Sequence, residues 1–167
     1  MDNYRSYAVD IAVDIIEQLS QKRFFKDLKI TVVGGGSYQA ELISPLKKFP
    51  NVTITNRAVS PQELAELFQH NGILLAPSRY DTQGLTACEA AMSGLVVVAS
   101  DNTGLSDILP DSTGTFFSNK NISKAVDILE TLYKDSKLFT QVSQFTHKEA
   151  NTSLSKDAVS ADLKYML

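Results

Sequence analysis

Leu74 to Ser100 reads LLAPSRYDTQGLTACEAAMSGLVVVAS, an apolar run, a polar loop, an alanine-rich segment and a second apolar run. The pattern predicts strand, loop, helix, strand, with almost all polarity confined to the loop. The strands are expected at Ile73 to Ala76 and at Leu95 to Ala99, and the unbroken apolar character of the second fits a parallel strand covered on both faces. Between Asp81 and Asp101 the only charged side chain is Glu89. On a helix, Leu85, Cys88, Glu89 and Met92 stand at i, i+3, i+4 and i+7, so Glu89 is expected to share a stripe with three packing residues. A carboxylate so placed is costly unless it is hydrogen-bonded. Hydroxyl groups of a ligand or backbone amides of a neighbouring loop would satisfy it, and so would a pairing internal to the fold. Thr82, Gln83 and Gly84 lead into Leu85, which places unpaired N–H groups of the helix start at the open end of the sheet. Such an end suits phosphate or sugar oxygens, and Gly84 admits a close approach to the backbone.

Working outward, the chain alternates strands and helices. Tyr4, Ala8, Ile11, Ala12, Ile15, Ile16 and Leu19 share one helical face, opposite Asp10, Asp14, Glu17 and Gln21, as on a surface helix packed against a sheet. Leu28 to Val33 is a strand that runs into Gly34-Gly35-Gly36, a tight turn that either lines a ligand or only reverses the chain. The dinucleotide fingerprint is incomplete, because Gln39 stands where its third glycine belongs and Thr55-Asn56-Arg57 stands where its acid belongs. A helix from about Ser37 is ended near Pro45, and Asn51 to Asn56 alternates as a second strand. Ser60-Pro61-Gln62-Glu63 is a capping box with proline at the first helical position. Leu64, Leu67 and Phe68 form that helix's buried face, Asn71-Gly72 ends it, and His70 suits its last turn. Asp101 to Gly104 is a loop at a strand's carboxyl end, and Thr115 to Phe117 a short fifth strand. Ile122, Val126, Leu129 and Tyr133 are in helical register, followed by Leu138, Val142 and Phe145, and Val159, Leu163 and Met166 mark a last helix within 155–167. Such alternation implies right-handed crossovers and an α/β, Rossmann-like, doubly wound parallel sheet.

Bulk properties exclude several classes of function. The 167 residues fit one domain, and 43% hydrophobic with 21% charged residues is the composition of a globular protein. A net charge of −3 and a pI near 5.3, with no basic stripe, argue against nucleic acid. One cysteine, Cys88, makes no internal disulfide, and His70 and His147 form no metal-ligand cluster. No signal peptide or bilayer-length apolar run is visible, so the chain is expected to be cytoplasmic, or membrane-peripheral in a longer protein.

The central stretch resembles a known family. Asp81 and Glu89, separated by seven residues, with Pro77-Ser78 before them and Ala90-Ala91-Met92-Ser93-Gly94 after, are similar to the E-x7-E region of retaining glycosyltransferases, family four of the GT-B fold (glycosyl transferases group 1). The likeness extends more loosely from Leu28 to about Tyr133, and Asp81 stands where that family most often has Glu. The resemblance implies half of a GT-B fold, with residues 1–167 as the nucleotide-sugar-binding domain and the N-terminal acceptor domain missing. The basic pair that contacts the diphosphate in the family has no clear counterpart, and Arg5 is a poor candidate for it.

Carried over by resemblance, Glu89 grips the ribose hydroxyls and Asp81 addresses the transferred sugar. Backbone N–H groups around Thr82, Gln83, Gly84, Leu85 and Thr86 hold sugar and phosphate oxygens, Gly35 and Gly36 line the phosphate side, and Arg57, Ala58 and Val59 lie beside the base. Arg57 is equally well read as a solvated surface residue. The implied function is transfer of a hexose from a UDP- or GDP-sugar to a saccharide or lipid-linked acceptor, with retention, as in polysaccharide biosynthesis. The nucleotide sugar is substrate, and neither a cofactor nor a metal is expected. A GT-B nucleotide-sugar epimerase and a non-catalytic nucleotide-sugar-binding module are the alternatives.

Overall fold

The computed structural model describes residues 4–36, 39–110 and 113–155. Ser37, the expected start of one helix, and the apolar positions Val159, Leu163 and Met166 lie outside the described residues. The elements are α1 (Tyr4–Tyr7), α2 (Val9–Leu19), β1 (Ile30–Val33), α3 (Gln39–Leu42), β2 (Val52–Thr55), α4 (Pro61–His70), β3 (Ile73–Ala76), α5 (Leu85–Met92), β4 (Val96–Ser100), β5 (Phe116–Phe117), α6 (Ile122–Lys134) and α7 (Ser136–Ser153). Short 3-10 turns occupy Arg23–Asp27, Ser44–Lys48 and Gly104–Asp107.

All strand pairings among the described residues are parallel and form two ladders. One joins β1 to β2, with Ile30 opposite Val52 and Val33 opposite Thr55. The other runs β3-β4-β5, with Ile73 opposite Val96, Ala76 opposite Ala99, and Ser100 opposite Phe117. Because side chains alternate along a strand, successive residues feed different layers. Val96 and Val98 join Ile73 and Leu75 in a cluster with α2 and α6, whereas Val97 and Ala99 join Leu74 and Ala76 in a cluster with α4, α5 and α7. Ile30, Val32, Val52 and Ile54 pack into the first of these, so both ladders share one layer. β4 is buried along its whole length, as its sequence predicts. The architecture is the expected doubly wound α/β arrangement.

Local chemistry accounts for the element ends. The capping box of α4 is complete: Ser60 Oγ accepts from the Glu63 N–H at 3.2 Å and Glu63 Oε2 accepts from the Ser60 N–H at 2.8 Å, which satisfies two donors that a helix start leaves open. Past the glycines, α3 is brief and passes into the 3-10 turn containing Pro45, since proline has no N–H for an α-helical bond. The first strand begins at Ile30 rather than Leu28. The long N-terminal helix is broken: Ala8 adopts a left-handed conformation, φ 52° and ψ 48°, between α1 and α2.

Two helical faces differ from their periodic reading. In α6 the buried residues are Ala125, Val126, Ile128 and Leu132, while Tyr133 is exposed and stacks on Phe24 at 4.4 Å between ring centroids. In α7, Phe145 is exposed while Thr146 and Ala150 are buried. In α7 the small residues turn inward and let the backbones approach, and Phe145 splays to the edge.

Candidate functional site

Beyond the carboxyl ends of β3 and β4, residues 78–84 form a loop whose backbone is fixed from several sides. Ser100 Oγ, at the end of β4, donates to the Ser78 carbonyl, and Asn119 Nδ2, just past β5, donates to the same oxygen at 3.1 Å. Asn102 Nδ2 donates to the Arg79 carbonyl at 2.7 Å, and the Gly104 N–H donates to the Asp81 carbonyl at 3.0 Å. From the other side, the Ser6 carbonyl accepts from the Arg79 N–H at 2.7 Å, and both Asp10 oxygens accept from the Arg79 guanidinium at 2.8 and 2.6 Å. These bonds from Arg79 hold the Asp10 carboxyl below the usual carboxylate range, against the opposing effect of burial.

Gly104 makes the loop's close seat possible. A Cβ on Gly104 would stand 2.1 Å from the Thr82 carbonyl oxygen, a distance no side chain can take without moving the backbone. Within the loop, Asp81 Oδ1 accepts from the Gln83 N–H at 3.2 Å and the Gly84 N–H at 2.7 Å. Gly84 then turns through a left-handed conformation, φ 62°, into α5, which suits glycine. Asp81 Oδ2 has no hydrogen-bond partner among the described residues.

This geometry changes two expectations. The Gln83 and Gly84 N–H groups, expected to face a ligand, are taken by Asp81, so of the expected donors among the described residues Thr82 in the loop and Leu85 and Thr86 at the start of α5 keep their N–H groups open. Glu89 does not lie on a packing stripe. The buried side of α5 is Ala87, Cys88, Ala90 and Ala91, against which α7 and β4 pack, and Glu89 is exposed with Leu85 at 64% and Met92 at 38% exposure on its flank. Periodicity misassigned the face because the large residues of α5 point outward and its small ones inward. The Glu89 carboxylate makes no hydrogen bond or ion pair among the described residues. Tyr80, 77% exposed, adds a second bare apolar surface on the loop. Cys88 is buried and donates to the Gln83 carbonyl at 3.4 Å. Burial, assisted by the charges of Asp81 and Glu89, pushes its thiol up, which makes it a packing residue and a poor nucleophile.

The second group of expected residues meets at the ends of β1 and β2. A Cβ on Gly35 would come within 3.2 Å of the Arg57 Cα, so the glycine turn abuts the backbone of Arg57 and Ala58. Gly36 and Arg57 are exposed and Val59 is half-buried. The Arg57 guanidinium is engaged by both Glu63 oxygens at 3.1 and 2.6 Å and by the Ala58 carbonyl at 3.0 Å. Those bonds, reinforced by the capping-box amide, hold the Glu63 carboxyl at about 2. Among the described residues, no hydrogen bond of Asp81 or Arg57 joins the two groups to each other.

Ser6, Asp10, Ser100, Asn102, Gly104 and Asn119 escaped the sequence reading as parts of this site. Their signal is tertiary: each meets the loop across a distance in the chain that no short pattern spans. Only the position of 101–104 at a strand's carboxyl end marked that segment as close to a ligand site.

The family model described as glycosyl transferases group 1 matches residues 1–135. The sulfoquinovosyl transferase SQD2 of Arabidopsis thaliana is 27% identical over 131 residues, covering 76% of this chain and 25% of that protein. Among solved structures, a variant of S. aureus TarM in complex with Fondaparinux, alpha-GlcNAc-glycerol and UDP superimposes with a TM-score of 0.79 at 20% identity, over 96% of this chain and 32% of that one. The C-terminal domain of a glycosyl transferase group 1 family protein (LpcC) from Francisella tularensis superimposes with a TM-score of 0.76 at 20% identity, over 88% of this chain and 79% of that one. The chain spans about a quarter of the length of the curated relatives it matches.

Proposed function

The chain belongs to the glycosyl transferases group 1 family, and from that premise we propose that it is the donor-binding half of a retaining GT-B glycosyltransferase. In a full-length protein carrying an acceptor domain, it would deliver a hexose from a UDP- or GDP-sugar to a saccharide or lipid-linked acceptor.

The observation that carries the reading is Glu89. A carboxylate with no partner among the described residues, set between exposed Leu85 and Met92 on the helix that follows the fixed loop, would accept from two vicinal hydroxyls of a ribose. Each such bond to a charged acceptor contributes about 1.5–3 kcal/mol, enough to orient a nucleotide. Asp81 has one oxygen committed to the loop, and Oδ2 is left for the transferred sugar. Leu85 and Thr86 N–H groups, at the positive end of α5, support the leaving diphosphate as charge develops on it. The backbone of Gly35, Gly36, Ala58 and Val59 forms the phosphate and base side, and the Arg57 side chain, engaged by Glu63, leaves base contact to main-chain atoms. This mechanism rests on positioning and electrostatics and assigns no protein nucleophile. No metal or cofactor takes part in it. No helix among the described residues is long and apolar enough to cross a membrane, and a lipid-linked acceptor would be met at a membrane surface.

Calorimetric titration of UDP, GDP and free hexose into the chain and its Glu89→Gln variant tests the reading. Loss of nucleotide binding with hexose binding unchanged is the expected result. Equal nucleotide affinity in the two proteins would remove Glu89 from the site.

A further inference from the structure

The break at Ala8 has a use. In an uninterrupted helix the Ser6 carbonyl would accept from the N–H of residue 10. Because Ala8 turns left-handed, α1 stops and that carbonyl is free to accept from the Arg79 N–H at 2.7 Å, with the Tyr80 N–H at 3.5 Å. Asp10, in the first turn of α2, then meets the Arg79 guanidinium through both carboxylate oxygens. A left-handed alanine costs about 1–2 kcal/mol, and a non-glycine residue in that region persists only where its surroundings impose it. Here the methyl is fully buried and the segments on either side both hold one residue, Arg79, two positions before Asp81.

We propose that Ser6 and Asp10, brought to Arg79 by the kink at Ala8, are positioning residues that set Asp81 Oδ2 against the donor sugar. The inference rests on the donor-binding reading above and adds to it a second wall for the acidic loop. Asn102 and Gly104 hold the carbonyls of Arg79 and Asp81 from the β4 side, and the clamp holds the Arg79 amide and side chain from the α2 side. With both walls present, the Asp81 backbone has little freedom. With one removed, the loop keeps its fold but loses its register to the sugar. Arginine is suited to this role, since its planar fork fixes direction as well as distance, which a lysine would not.

The test compares the wild-type chain with Asp10→Asn and Asp10→Glu, using NMR amide exchange of Gln83 and Gly84 and titrations with UDP and with a UDP-hexose. Asp10→Asn is expected to speed exchange of both amides about fivefold and to reduce the affinity gained from the hexose by a similar factor, as for one partly exposed ion pair, while UDP binding stays unchanged. Asp10→Glu is expected to restore part of both. If the wild type distinguishes UDP-hexose from UDP and Asp10→Asn changes neither the exchange nor that distinction, the clamp has no positioning role. Faster exchange with the hexose contribution intact would likewise reduce it to a structural tie. If the wild type binds neither ligand, the donor-binding reading itself fails and the clamp proposal falls with it.

Discussion

At the scale of single residues, the two carboxylates have unequal duties. Asp81 Oδ1 already accepts two loop amides, a role that asparagine fills as well as aspartate. Asp81→Asn should therefore keep the melting temperature close to wild type, whereas Asp81→Ala should lose about 1 kcal/mol, visible by thermal denaturation. In a full-length enzyme Asp81→Asn should still lower turnover by at least about tenfold, because the charge facing the sugar is gone. Turnover at the wild-type level would leave Asp81 as a loop cap alone. Glu89 has no such structural tie among the described residues, so Glu89→Gln should leave stability within about 0.5 kcal/mol and weaken UDP or GDP about tenfold or more, the cost of one charge-assisted bond.

At the scale of elements, the seat of the 78–84 loop on the 101–104 segment depends on a missing side chain. Gly104→Ala would drive a methyl against the Thr82 carbonyl, and the backbone must move. A loss of about 1–3 kcal/mol is expected in chemical denaturation, with displaced amide resonances at Asp81 to Gly84. An unchanged spectrum there would show that the two segments can part at no cost. The start of α4 gives a pH-dependent test. Glu63, held at about 2 against an ordinary value of 4.5, contributes stability that is complete above the ordinary value and is lost as pH falls towards 2. Carbon-detected NMR should find the Glu63 carboxyl midpoint near the lower figure in the wild type and nearer the ordinary one in Arg57→Gln. Coincident midpoints would mean that the Arg57 pair is not formed in solution.

For the whole molecule, exposed Glu89 with Leu85 and Met92 on its flank has nothing among the described residues to close over a bound nucleotide. A site exposed on one side excludes little water and gains little from closure. The chain by itself should bind UDP- or GDP-sugars no better than the millimolar range, about −4 kcal/mol, and should show no transfer. Ligand-observed NMR and a turnover assay check both. Turnover equal to that of a full-length relative would mean that the 167 residues hold a complete active site.

The sequence alone determined the layers and the neighbourhood of the candidate site. Alternating strand and helix patterns, the Ser60 to Glu63 cap and the unbroken Val96 to Ala99 run are local signals, because backbone hydrogen bonding and side-chain period act over a few residues. The resemblance carried by Asp81 to Gly94 supplied the family. Only the tertiary structure decided which way α5 faces, since an alanine-rich helix presents two nearly equivalent sides and α7 and β4 choose between them. It also decided which loop amides remain open and which distant residues fix the loop. Ser6, Asp10, Asn102, Gly104 and Asn119 reach Ser78 to Thr82 through contacts whose partners lie far along the chain, and such contacts leave no periodic trace in the residues that make them.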